Sequence, residues 1–305
     1  MGFLHIAYIG ENLFTCFLKM FPIAVITDEI SQDLAVAAAL VKEFGGSALE
    51  IRSVWEKSPH EFDTDDIARI KCIADDYGLR ICGIASPFYK CTLGDTEEEK
   101  QHLDILRRCI AVAHALETNL IRVFTFWQQP GVPPWEQIAE KFQEPIRLAE
   151  AEDVILGVEN DPSTMGTNAR QVAQFLSPIN HPRVRSVWDP GNELWAGEAR
   201  AAFPDGYETL KPWIVHIQLK DLKRTPEGKV EAVRLGRGEV DYLGQFKALK
   251  ADGYSGHLSL ETHWRVQREI PEDLLHRPKG SVFSFGGEEA TRLCLQSLRE
   301  MLAQV

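Results

Sequence analysis

The nine residues WIVHIQLKD (213–221) read as a strand with two unlike faces. Side chains alternate across a strand, so Val215, Ile217 and Leu219 share one face and His216, Gln218 and Lys220 share the other. The apolar face is suited to packing on helices. The three polar side chains must then point into an interior that other strands enclose. The segment HLSLETHW (257–264) repeats the pattern, with Leu258 and Leu260 outward and Ser259, Glu261 and His263 inward. Two such strands imply a closed sheet with a polar inside.

Six further strand candidates precede or separate these two: 23–30, 47–54, 79–86, 120–127, 154–160 and 183–189. Between them lie stretches of helical period, among them LAVAAALVKEF, TDDIARIKCIADDY, TEEEKQHLDILRRCIAVAHAL and PWEQIAEKFQEPIRLAEA, and GEEATRLCLQSLREMLAQV closes the chain. Strict alternation of strand and helix predicts a parallel sheet, and eight units favour closure into a (β/α)₈ barrel (a TIM barrel) of one domain. No glycine-rich dinucleotide fingerprint follows the first strand, which argues against an open doubly wound sheet. Asp63 or Thr64, and Asp95 or Thr96, are the expected helix caps. Residues 222–245 and 265–286 read as loops.

With 305 residues and 44% apolar content the chain can bury one large core. A net charge of −12 disfavours nucleic acid and anionic membranes as partners, while leaving room for a small substrate. The six cysteines (16, 72, 82, 91, 109 and 294) form no CxxC pair and read as reduced thiols of a cytoplasmic protein. No run of 18 apolar residues predicts a membrane span. Residues 1–21 lack the basic start and cleavage site of a signal peptide, and are expected to be an extension ahead of a domain spanning 22–305. A homo-oligomer is compatible with the sequence, but no surface feature demands it.

In a parallel barrel the chemistry sits at the C-terminal ends of the strands. The fifth strand ends in Glu159, the sixth in Asp189 within WDPGN, the seventh carries His216, Gln218 and Lys220, and the eighth carries Glu261 and His263. Three carboxylates at one spot repel one another and resist burial, and a divalent cation removes that cost. Oxygen-rich ligation suits Mg²⁺ or Mn²⁺, and a histidine ligand would also accept Co²⁺ or Zn²⁺. Either His216 or Gln218 fits as the donor from the seventh strand. Asp28, Glu29 and Glu50 read as salt-bridge partners or substrate rim. Trp188, Trp127, Trp264 and Phe88 are candidates for an apolar wall, and Arg234 and Arg237 for an anion contact.

These motifs together resemble the xylose-isomerase-like barrel superfamily of sugar-phosphate isomerases and epimerases, which also includes tagatose and psicose 3-epimerases, hydroxypyruvate isomerase, inosose dehydratase and endonuclease IV. The matching elements are ITDEISQD, GVEN, WDPGN, HIQLKD, LGRGEVDY, LSLETHW and FGGEEATR, in order from about residue 22 to the C-terminus. The resemblance implies a metal held by Glu159, Asp189, Gln218 and Glu261, with His216 next to the ligands or touching substrate. Asn192 stands where many relatives carry a histidine three residues after the sixth-strand aspartate. Endonuclease activity is disfavoured, because the further histidines it needs on earlier strands are missing.

The implied activity is isomerisation or epimerisation of a sugar, sugar phosphate or hydroxy-ketone. Glu159 and Glu261 would move the proton through a metal-stabilised enediolate, and Lys220 would serve the developing oxyanion. Asn192, His216, His263, Trp188 and Arg237 are the expected substrate contacts. A metal-dependent lyase or dehydratase acting on a keto-sugar or keto-inositol is the alternative within enzymes, and a non-catalytic sugar-binding barrel is the alternative outside them.

Overall fold

The computed structural model describes residues 21–197 and 201–305. The expectation for an N-terminal extension falls outside the described residues except at Phe21, which is buried with its ring 6.5 Å from Phe246 and 6.4 Å from Tyr254. Eight parallel strands close into a barrel: β1 (Ile23–Ile26), β2 (Ala48–Ile51), β3 (Arg80–Ala85), β4 (Leu120–Val123), β5 (Ile155–Glu159), β6 (Val184–Trp188), β7 (Ile214–Leu219) and β10 (Leu258–Leu260). The first strand closes the ring against the last, with Ile23, Ala24 and Val25 opposite Leu258, Ser259 and Leu260. Every expected strand is present but shorter than its apolar run, because the extra residues form the loops at the barrel mouth.

Helices follow the strands where the 3.6-residue period predicts them. Asp63 caps Thr64–Tyr77 by accepting the Asp66 amide, and Asp95 caps Thr96–Ala115 by accepting those of Glu97 and Glu98. The run 134–151 is two helices, Trp135–Lys141 and Gln143–Ala151, separated at Phe142. Pro145 has no amide hydrogen to return to the Lys141 carbonyl. The Tyr89 hydroxyl donates to that carbonyl instead, at 2.9 Å.

One expected loop is ordered. Residues 222–245 contain an antiparallel hairpin, β8 (Asp221–Arg224) with β9 (Val230–Val233), and the start of the helix Tyr242–Ala251. The 225–229 turn contains Gly228, in the left-handed region at φ 86°. After the hairpin, the Asp221 carboxylate gathers the chain. Its Oδ2 accepts the amides of Gly236 (2.9 Å) and Gly238 (2.8 Å), and its Oδ1 accepts those of Leu222 (3.0 Å) and Val240 (3.4 Å). A Cβ on Gly238 would lie 2.1 Å from Oδ1, so glycine is required for that approach. Residues 265–286 likewise contain short helices, Glu272–His276 and Gly280–Ser284.

The Asp221 cradle makes a direct prediction. In Asp221→Asn either orientation of the amide sets its NH₂ group against backbone N–H donors, so unfolding in urea should show a loss of about 1–3 kcal/mol. Unchanged stability would mean that the cradle does not hold the loop.

Candidate metal and proton-transfer site

The barrel interior is polar where a core of branched apolar side chains is usual. Glu50 of β2 reaches across to β7, where His216 Nε2 is 2.9 Å from its Oε2 and Gln218 Nε2 donates to its Oε1 at 2.8 Å. All three are buried. Above them, toward the C-terminal ends of the strands, Glu159, Asp189 and Glu261 each present a carboxylate oxygen within 4.8 Å of the others. These are the three acids expected at the C-terminal ends of the fifth, sixth and eighth strands.

Basic side chains interleave with the acids. Lys220 Nζ sits 2.6 Å from Asp189 Oδ2 and 2.5 Å from Glu261 Oε2. Arg122 of β4 is 3.2 Å from Glu159 Oε2. Arg52, directly after β2, spans three acids: Nη1 lies 2.5 Å from Glu261 Oε1, Nη2 donates to Glu29 Oε1 at 2.7 Å, and Nε donates to Asp28 Oδ1 at 3.0 Å. Neither arginine was singled out from sequence. The available signal was a charged residue at an inward position of an apolar strand, Arg122 in LIRV and Arg52 just past ALEI.

The environment makes the two glutamates unlike. Burial pushes Glu159 up to about 7, against the pull of Arg122 and with the Glu261 charge adding to the rise. Burial acts on Glu261 too, but Lys220, His263 and Arg52 together hold it well below the usual carboxylate range. Asp189 is raised, by burial first and despite Lys220.

Among the buried oxygens without an aligned hydrogen-bond donor are Glu159 Oε2, Asp189 Oδ2 and Gln218 Oε1. With Glu261 they make an all-oxygen donor set of the kind hard divalent cations prefer. Gln218 follows Ile217, which pairs with Trp188 across β6 and β7, so Gln218 and Asp189 succeed one another at the same level of the barrel. The donors present fit a metal of the Mg²⁺ or Mn²⁺ type.

A cavity of about 1000 Å³ opens over this cluster, its wall including Glu159, Asn192, Lys220, Glu261 and His263. Asn192 donates to Glu159 Oε1 at 3.1 Å and to the Asn160 carbonyl at 2.7 Å. His263, in the left-handed region at φ 43°, is pinned to Glu29: its amide donates to Oε2 at 3.0 Å and its Nδ1 lies 2.8 Å from Oε1. Trp264 and Trp195 supply aromatic wall, and Lys90, the hairpin and residues 268–278 form the rim.

Several expected contacts lie elsewhere. Trp188 is fully buried outside the ring of strands, its Nε1 donating to Gln245 Oε1 at 3.1 Å, because its position on β6 is the outward one. Phe88 packs against Tyr89 and Phe142 rather than on the cavity. Arg237 is exposed and stands off the cavity wall, because the Asp221 cradle directs its loop away. His216 lies below the site, against Glu50 and 6.3 Å from the His257 ring, and does not line the cavity. Trp127 pairs with Arg277 and Lys90 at the rim. Lys220 pairs with the cluster acids and not with Asp221.

The glycine of WDPGN is needed for a close approach. A Cβ on Gly191 would lie 2.6 Å from Lys220 Cγ and 2.8 Å from the Lys220 carbonyl. Gly191→Ala should therefore displace Lys220 from Asp189 and Glu261. A crystal structure of the variant with both Lys220 contacts intact would refute this.

Comparison with known proteins agrees with the architecture. The family model described as xylose isomerase-like TIM barrel matches residues 38–281. An inosose dehydratase of Clostridium perfringens is 22% identical over 144 residues, which is 42% of this chain and 46% of the relative. Two solved structures superpose with a TM-score of 0.69. One is a probable 3-DHS dehydratase of Bacillus anthracis, at 16% identity, covering 91% of this chain and 98% of that one. The other is a D-allulose 3-epimerase of Methylomonas in complex with D-allulose, at 14% identity, covering 92% and 97%. Among the described residues no helix is long and apolar enough to cross a membrane. The chain belongs to the xylose isomerase-like TIM-barrel family.

Proposed function

We propose that this protein is a divalent-metal-dependent isomerase or epimerase of a small sugar, sugar phosphate or hydroxy-ketone. The observation that carries this reading is the convergence of Glu159, Asp189 and Glu261 within 4.8 Å, with buried oxygens of Glu159, Asp189 and Gln218 that no aligned hydrogen bond satisfies, under a cavity with a mixed polar and aromatic wall. Glu159, Asp189, Gln218 and Glu261 would hold the cation. When bound, the metal supplies Lewis acidity that makes a proton beside a carbonyl easier to remove.

The chain's own residues do the rest. Glu261, kept ionised by Lys220, His263 and Arg52, is the base that removes the proton from carbon. Glu159, once it has taken a proton from a substrate hydroxyl, returns it to carbon on the other side, and its Oε1 is steadied for this by Asn192. Return to the same carbon from the opposite face epimerises, and return to the neighbouring carbon isomerises. Lys220, on a long stem between two carboxylates, donates to the oxygen that becomes negative as the proton leaves. His263 and Asn192 bind substrate hydroxyls from the cavity wall. Trp264 and Trp195 exclude water from one side.

The two dehydratases among the similar proteins favour a second reading, in which proton removal is followed by loss of a β-hydroxyl. The first step is shared, and the products separate the two readings: an unsaturated ketone appears in one and a stereoisomer or constitutional isomer in the other.

Incubation with ketoses and keto-sugars in D₂O should place deuterium beside the carbonyl of one substrate, and chelation of the metal should abolish the exchange. Glu159→Gln and Glu261→Gln should each slow exchange by roughly 10²–10⁴-fold. Mn²⁺ titration of the same preparations tells loss of the cation from loss of proton transfer. Exchange that survives both substitutions would remove the two glutamates from proton transfer, and no exchange with any substrate would leave only a binding role for the barrel.

Cation uptake should be linked to protons. Glu159 titrates near 7, so below that pH its carboxyl is protonated, and a cation must displace the proton to bind. Mn²⁺ affinity should fall by about tenfold per pH unit below 7 for each carboxyl still protonated, and level off above it. Calorimetry in buffers of different ionisation enthalpy measures the proton released. Affinity that stays flat from pH 5.5 to 7 would contradict a protonated Glu159 in the metal-free protein.

A further inference from the structure

A glutamine is an uncommon choice for a metal ligand, because its amide has two ends of nearly equal shape, and only the oxygen can bind a cation. Something must decide which end faces the site. Glu50 is placed to decide it. An ionised carboxylate accepts hydrogen bonds and donates none, so only the amide nitrogen of Gln218 can face it. That contact is present, with Nε2 donating to Glu50 Oε1 at 2.8 Å. Oε1 is thereby directed away from Glu50 and is left buried with no donor. Glu50 is itself fixed from β7, where His216 Nε2 sits 2.9 Å from its second oxygen. Glu50, His216 and Gln218 are each at least 98% buried, so no solvent competes for these contacts.

We propose that Glu50, held by His216, is a positioning residue that sets the Gln218 amide so that oxygen rather than nitrogen faces the cation. This rests on the reading of the cluster as a metal site. It also gives His216 a role without any contact to substrate. The chain of contacts runs from His216 through Glu50 to Gln218 and ends at the open oxygen.

The arrangement predicts an inversion. In Glu50→Gln the new amide keeps its oxygen toward His216 and turns its NH₂ group toward Gln218. The Gln218 amide must then rotate to accept, and its own NH₂ group faces the cation site. In Gln218→Glu two carboxylates oppose each other. Combining the two substitutions restores the pattern, because the amide at 50 donates to the carboxylate at 218, whose second oxygen faces the cation.

The test is Mn²⁺ binding to the metal-free proteins by calorimetry, with melting temperature recorded for each. Glu50→Gln and Gln218→Glu should each bind Mn²⁺ at least about tenfold more weakly than the parent chain, as loss of an orienting partner does elsewhere. The double variant should return to within threefold of the parent or bind more tightly. Glu50→Gln binding Mn²⁺ like the parent, or a double variant no tighter than either single one, overturns the proposal. If Glu50→Gln fails to fold, the comparison of Gln218→Glu with the double variant decides by the same criterion. A parent chain that binds no Mn²⁺ refutes the metal-site reading instead, and so the two failures are distinguishable.

Discussion

Three carboxylates converge in the interior of this barrel, and most of what surrounds them follows from the difficulty of placing them there. Two like charges less than 5 Å apart cost roughly 3 kcal/mol even at an effective dielectric near 20, before the loss of hydration is counted. The chain answers with Lys220 between two of the acids, Arg122 against the third and Arg52 reaching in from β2. Those cations leave acceptors on Glu159 and Asp189 out of alignment. A divalent ion meets those acceptors with more charge in less volume than an ammonium group on a flexible stem. On the reading proposed above, such an ion would take over the neutralising role that Lys220 holds here.

The basic residues are not distributed evenly, and the asymmetry bears on chemistry. Glu261 stands among Lys220, His263 and Arg52, while Glu159 has Arg122 and a neutral amide from Asn192. One glutamate is therefore strongly biased toward the charged form and the other is near balance at neutral pH. The inequality suits Glu261 to begin empty as a base and makes Glu159 the group that must give up a proton when a cation arrives. Arg52 also binds Asp28 and Glu29 beyond β1, and Glu29 pins His263 beyond β10. The seam where the barrel closes is thus fastened by the same charges that bias the base.

Alternation along strands made much of this legible in the sequence. Its period of two is unambiguous in HIQLK and LSLETH and turns Gln218, Lys220 and Glu261 inward, the ends of the fifth and sixth strands bring Glu159 and Asp189 beside Glu261, and the capped helices begin where Asp63 and Asp95 stand. What alternation cannot supply is depth. It assigns His216 and Gln218 to one face, with His216 a step deeper, but does not decide between a place next to the ligands and a contact with substrate for His216, and the structure puts it against Glu50. Nor does it tell an outward residue at a strand end from a rim residue, which is why Trp188 read as cavity wall. Glu50 read as a salt-bridge partner because its role depends on a residue 168 positions away, brought near only by closure of the ring. The 221–233 hairpin was hidden by its charge and by Gly228, which resemble loop composition.

The positions of these successes and failures separate two layers of the molecule. The carboxylates, their counter-charges and Gln218 sit on the strands or within one residue of their C-terminal ends, where strand register sets their level. The wall of the cavity comes instead from the hairpin, from Lys90 and from residues 264–278, segments held by local devices such as the Asp221 cradle. On the reading proposed above, removal of a proton beside a carbonyl is the work of the first layer. Which molecule enters, and whether the proton returns or a hydroxyl departs, is the work of the second. A D-allulose 3-epimerase and a probable 3-DHS dehydratase share this barrel. The substrate of this chain must be sought from its loops, because the strands carry only the step that both reactions share.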